Sequence, residues 1–167
     1  VGNLEKSIFI DISDKKVSLT AIGDIMCHNT QYMDAYSNGK YDFSYVFEDI
    51  EKYIKSVDIA VGNLETTFAG VERGYSSYPT FNTPEALATD LKELGVDVLS
   101  TANNHSLDKG YNGLVKTIEK LDEIGIEHTG TYSSKEASEE ILLLEKNEIK
   151  LYLLYFFEYS IYVFIYN

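Results

Sequence analysis

The sequence is short of several things. Its 167 residues hold one cysteine, no tryptophan, three histidines, and 14 Lys+Arg against 27 Asp+Glu, a formal charge of −13. A lone cysteine, Cys27, cannot form an internal disulfide, so the fold is not a stapled scaffold, although this leaves the compartment open. The shortage of basic side chains excludes attachment to nucleic acid or an anionic membrane through bulk charge. The opening VGNLEKSIFIDISDKK has no initiator Met, no basic n-region and no apolar h-region, so no secretory signal is read there and Val1 is expected to continue from a longer chain. There is no second-domain linker and no fixed-period repeat.

What is present suffices for one packed domain: 44% of the residues are hydrophobic. The aromatics are unevenly spread, with 14 Tyr and 8 Phe in the chain, and the last stretch, LYLLYFFEYSIYVFIYN, is almost uncharged but for Glu158. Composition therefore divides the chain into a lead-in over 1–16, a body over 17–150 and an aromatic tail over 151–167. Three readings of the tail compete: a buried terminal strand, a membrane anchor at the short limit for a span, or sequence translated out of frame. Exposed, it would be an aggregation hazard and a route to oligomers, because it is β-prone and lacks Pro.

The body alternates strand-like and helix-like stretches. Val17–Gly23, Asp58–Asn63, Val96–Ser100 and Ile126–His128 read as short strands. Tyr45–Ser56 carries Val46, Phe47, Ile50, Tyr53 and Ile54 at helical spacing. Thr83-Pro84-Glu85 reads as the capped start of a helix running to Leu94 and stopped by Gly95. Asn112–Ile124 predicts a further helix closed by Gly125, and Ser133–Glu140 a short one. Residues 66–82 read as a long loop, and Ile141–Tyr155 as a hairpin turning at Asn147-Glu148. Alternation of this kind predicts an α/β fold with a largely parallel sheet.

In such sheets, sites form beyond the carboxyl ends of the strands. Three polar clusters sit at successive strand ends about 40 residues apart: Gly23-Asp24, Asn63-Leu64-Glu65 and Asn103-Asn104-His105. Asp24, Glu65, Asn104 and His105 offer hard oxygen ligands and an imidazole, which suit a divalent-metal hydrolase. If the chain turned helically after Asp24, His28 would share its face. Each cluster also has a plainer reading. Gly-Asp serves as a turn or cap, Asn-Asn-His as loop residues bonding their own backbone, and NLE alone says little. Cys27 reads as a small packed hydrophobe, His128 as structural, Asp108 as a helix cap and Gly110 as a turn residue.

At these residues the sequence resembles a known family. GDIMCH (23–28), AVGNLET (60–66), FNTPEALATDLKELGVDVLSTANNHSLDKGYNGL (81–114) and HTGTYSSKEA (128–137) are similar to the poly-γ-glutamate capsule biosynthesis proteins, the CapA-like branch of the calcineurin-like metallophosphoesterases. The resemblance implies a sandwich of β-sheets flanked by helices, of which this chain is the N-terminal portion. It implies that Asp24, Glu65 and Asn104 hold one or two divalent ions (Mn, Mg, Fe or Zn), and that His105 is the catalytic histidine. It places Asn63 and Asn103 as candidate substrate-binding residues. His28 corresponds to a first-motif histidine, though displaced, since the superfamily puts that residue two positions after the Asp rather than four. Family members supply further histidines from later strands; here none follows His128, so weak or no activity is expected of this chain. The implied function is a metal-dependent phosphoesterase acting in synthesis or export of poly-γ-glutamate or a related surface polymer, with other capsule-synthesis proteins as partners, at the cell envelope. The alternative is a non-catalytic, polymer-binding or assembly component of the same machinery.

Overall fold

A computed structural model describes residues 7–12, 15–156 and 160–166. In chain order the elements are β1 (Ser7–Ile12), β2 (Lys15–Ile25), α1 (Asn29–Asp34), β3 (Tyr36–Ser37), β4 (Lys40–Tyr41), α2 (Glu48–Ile54), β5 (Ile59–Leu64), α3 (Ala86–Leu94), β6 (Val98–Ser100), α4 (Gly110–Ile124), β7 (Glu127–Thr129), α5 (Lys135–Ser138), β8 (Leu142–Lys146), β9 (Ile149–Phe156) and β10 (Ser160–Tyr166). The main sheet runs β1-β2-β5-β6-β7. Its last four strands are parallel, and β1 joins β2 antiparallel. A second sheet, β10-β9-β8, is antiparallel throughout. This is the mixed α/β fold that the alternating pattern predicts.

Both faces of the main sheet are covered, which is why the strands read as near-continuous apolar runs. On one face Ala60, Leu64 and Leu99 meet the helices through Ile54, Leu87, Ala88, Leu91, Leu94 and Leu121. On the other, Val17, Leu19, Ile59, Val61 and Val98 meet Ile149, Leu151 and Leu153 of the second sheet. The alternation along β5 divides its side chains between the two cores. Each fully buried Leu, Ile or Val contributes about 1.5–3 kcal/mol relative to exposure. Leu87, Ala88, Leu91 and Leu94 recur at helical spacing, giving α3 one buried face. Both α3 and α4 end at a glycine in the left-handed region, Gly95 (φ 102°) and Gly125 (φ 70°).

Strand β2 contains one irregularity that matters for the site. Its register to β5 advances from Ala21↔Val61 to Asp24↔Asn63, so one extra residue is accommodated between them. Before this bulge Val17 and Leu19 belong to the inter-sheet core; after it Ile25 belongs to the helix-side core.

Three local expectations need correction. The stretch 44–54 is a 3₁₀ turn (Ser44–Phe47) followed by α2, not one helix, and Val46 and Tyr53 are 43% and 47% exposed. Thr83 does not cap α3: Glu85 stands at the N-cap, while the Thr83 hydroxyl bonds that of Thr66 at 2.6 Å. No helical turn links Asp24 to His28, because β2 runs to Ile25 and α1 begins at Asn29. The hairpin forms as read, with Asn147 and Glu148 both at positive φ (53° and 62°), the geometry of a tight two-residue turn.

Candidate functional site

The registers across the parallel strands align one residue from each: Asp24 lies beside Asn63, Asn63 beside Ser100, and Ser100 beside Thr129. This row is polar, whereas Val61 and Val98, two residues earlier on β5 and β6, belong to the inter-sheet core. It marks where the packed interior gives way to the strand ends, the position at which α/β sheets build their sites.

Asn63 is the centre of that row. Its amide Nδ2 donates to Asp24 Oδ1 at 2.8 Å and to Glu65 Oε2 at 3.4 Å. Its Oδ1 accepts from Ser100 Oγ at 3.0 Å and from Asn103 Nδ2 at 3.2 Å. One buried amide thus spaces two carboxylates and ties both to β6. Asn103 is equally occupied: it also donates to the Leu64 carbonyl at 2.8 Å, and its Oδ1 accepts from the His105 N–H at 3.0 Å. That last bond spans two residues, as in an Asx turn, and bends the chain after β6 so that His105 is carried back toward Glu65. Asn104 is exposed at the same bend.

His105 is buried at 8% exposure, with its Nε2 3.9 Å from Glu65 Oε1. Its Nδ1 lies 2.8 Å from Asp108 Oδ2. Asp108, read in the sequence as a helix cap, instead orients the imidazole; Lys109 is the N-cap of α4. The same Asp108 oxygen accepts from the Phe81 N–H at 2.6 Å. The Phe81 ring stands edge-on to His105 (centroids 4.7 Å apart) and to His28 (5.3 Å). His28 caps α1 at the exposed margin, with Nδ1 3.0 Å from Ser77 Oγ. Asp108 and Phe81 are the site residues that sequence reasoning missed. The available signal was His-x-x-Asp, a spacing that brings the two side chains together on one turn.

Electrostatics fit this crowding. Burial pushes the Glu65 carboxyl above the usual carboxylate range. The nearby Asp24 carboxylate pushes the same way, and His105 opposes it. The two carboxylates are held together by a neutral amide, and the basic group facing them is the His105 imidazole, 3.9 Å from Glu65. As hard oxygen donors, Asp24 and Glu65 fit a divalent cation. They form part of a shell only: among the described residues, no three or more His, Cys, Asp or Glu side chains are gathered as a cage.

The remaining histidine and the cysteine follow their plainer readings. His128 pairs with Asp122 at 3.0 Å on the α4–β7 side, and Cys27 is 2% exposed with its thiol pushed up to about 11 by burial. Among the described residues, no helix is long and apolar enough to cross a membrane.

The parallel sheet flanked by helices is a calcineurin-like α/β fold. More narrowly, the profile of the bacterial capsule synthesis protein PGA_cap matches residues 18–161, and the chain belongs to that family. An uncharacterized protein of Sinorhizobium fredii is 32% identical over 135 residues, covering 77% of this chain and 27% of its own. The capsule biosynthesis protein CapA of Bacillus anthracis is 28% identical over 123 residues, 70% of this chain and 29% of its own. The PGA biosynthesis protein CapA of Bacillus subtilis is 26% identical over 152 residues, 89% of this chain and 39% of its own. The chain therefore spans between about a quarter and two fifths of the length of these relatives.

Proposed function

We propose that this chain carries the strand-end half of a divalent-cation-dependent phosphoester-hydrolysing site in a protein that makes or exports a capsule polymer of the poly-γ-glutamate class at the cell envelope. The observation that carries the reading is the pairing of the Asp24–Asn63–Glu65 carboxylate cluster with the His105–Asp108 dyad at one sheet edge. Capsule-related partners follow from the names of the Bacillus relatives.

Asp24 and Glu65, joined by the exposed Asn104, would hold the cation. When bound, it would act as a Lewis acid that offsets phosphoryl charge. Asn63 holds the two carboxylates apart and in register. Asp108 accepts the Nδ1 proton of His105, fixing tautomer and ring orientation, so that Nε2 is the nitrogen facing Glu65. As the imidazolium, with both ring nitrogens protonated, His105 would keep Nδ1–H on Asp108 and give its Nε2 proton to the leaving oxygen, ending as the neutral Nδ1–H tautomer. The Phe81 ring shields one side of the imidazole and excludes water from it.

The test is turnover of p-nitrophenyl phosphate with Mn²⁺ added. His105→Ala and Asp108→Asn are each expected to lower kcat by about 100-fold or more, with little change in KM. Turnover that survives intact in His105→Ala overturns the assignment.

A further inference from the structure

A cavity of about 500 Å³ opens beside the site, within the size range of small-molecule pockets. Its walls are Ile22, Phe43, Phe47, Ile50 and Leu87, with Met26 and Val46 on the lining at 37% and 43% exposure. Asp24 and His28 line it as well. It therefore reaches the strand end that bears the carboxylate cluster, and His28 in its wall shares the Phe81 ring with His105. Among the described residues, no lysine or arginine lines it, so its described wall holds nothing that would draw the acidic polymer itself. The phosphoester reading puts a phosphoryl group at this strand end; an apolar chamber beside it would select what that group is attached to.

We infer that the cavity receives the hydrocarbon tail of the substrate, so that the phosphoester cleaved or held at this site is that of a long-chain apolar alcohol such as a prenol. This rests on the phosphoester reading above and sharpens it to a substrate class. Burying a tail removes apolar surface from water on both partners, and each buried methylene adds to affinity. A short-chain phosphate would leave Ile22, Phe47 and Ile50 wetted. Asp49, also on the lining, is a further carboxylate that would repel an anionic headgroup inside the cavity.

The experiment measures binding of farnesyl monophosphate, methyl phosphate and farnesol to the chain by calorimetry with Mn²⁺ present, with light scattering on the same samples. Farnesyl monophosphate is expected to bind about tenfold or more tighter than methyl phosphate. Val46→Glu and Met26→Gln, both at partly exposed positions, should bring that ratio toward one. Equal affinities for the two phosphates in the parent chain overturn the tail site and leave the phosphoester reading standing. Farnesol binding that Val46→Glu weakens, with no methyl phosphate binding, keeps the tail site and sinks the phosphoester reading. Absence of farnesol binding overturns the tail site, as does a Val46→Glu effect on self-association with no effect on ligand, which would make the cavity a contact between copies.

Discussion

Glu65 carries a consequence that can be measured without any activity. Its carboxyl is held above its ordinary value in the folded chain, chiefly by burial and then by Asp24. A raised acid is fully tolerated below its unfolded value and costs stability as pH rises through the folded one. In metal-free protein, Glu65→Gln should therefore raise the urea midpoint near pH 7, and the difference should close by about pH 4. A variant less stable than its parent at neutral pH would contradict the account. Added Mn²⁺ should reverse the order, because a bound cation stabilises the parent through both carboxylates. Residue identity showed the carboxylates and the histidine but not their organiser. Asn63 acts through Ser100 and Asn103, 37 and 40 positions away, and no local spacing reveals such lateral neighbours. Asp108 was hidden for a different reason, since the residue type that orients an imidazole is also the one that caps a helix.

Among the elements, the loop from Thr101 to His105 is held close against the end of β7. Gly130, just after β7, sits at φ +109°, and a Cβ placed there would lie 2.8 Å from Ala102 Cβ and 2.9 Å from Ala102 N. The β6 loop can approach β7 this closely only because glycine occupies the position. Gly130→Ala is expected to destabilise the chain by about 1–3 kcal/mol in chemical denaturation. It should also displace the backbone that delivers His105; a substitution without effect on stability would show that the approach is not needed. The helices and parallel strands of the body were legible, because apolar periodicity and glycine stops reflect burial directly. The start of α3 was not: Thr83 looks like a cap, yet its hydroxyl is drawn to Thr66 by the loop packed above it. Nor was the break between residues 47 and 48, since a 3₁₀ turn followed by a helix preserves nearly the same spacing.

At the scale of the whole molecule, charge and topology act together. A formal charge of −13 makes the chain repel itself. Raising NaCl from about 0.02 M to about 0.3 M should raise its thermal midpoint by screening that repulsion; a falling midpoint would show that specific ion pairs outweigh it. The α/β class was legible because alternation is a property of the whole string. The second sheet as a covering layer was less so, since it depends on where β9 returns after its turn. The bulge in β2 sets how this fold can change in evolution. Loss of the one extra residue between Ala21 and Asp24 would give a regular strand that still sets Asp24 opposite Asn63 and Ile25 opposite Leu64. Closing the bulge at constant length would instead set Gly23 opposite Asn63 and turn Asp24 toward the helix-side core. Relatives that keep the site should therefore either retain the bulge or be one residue shorter in this stretch.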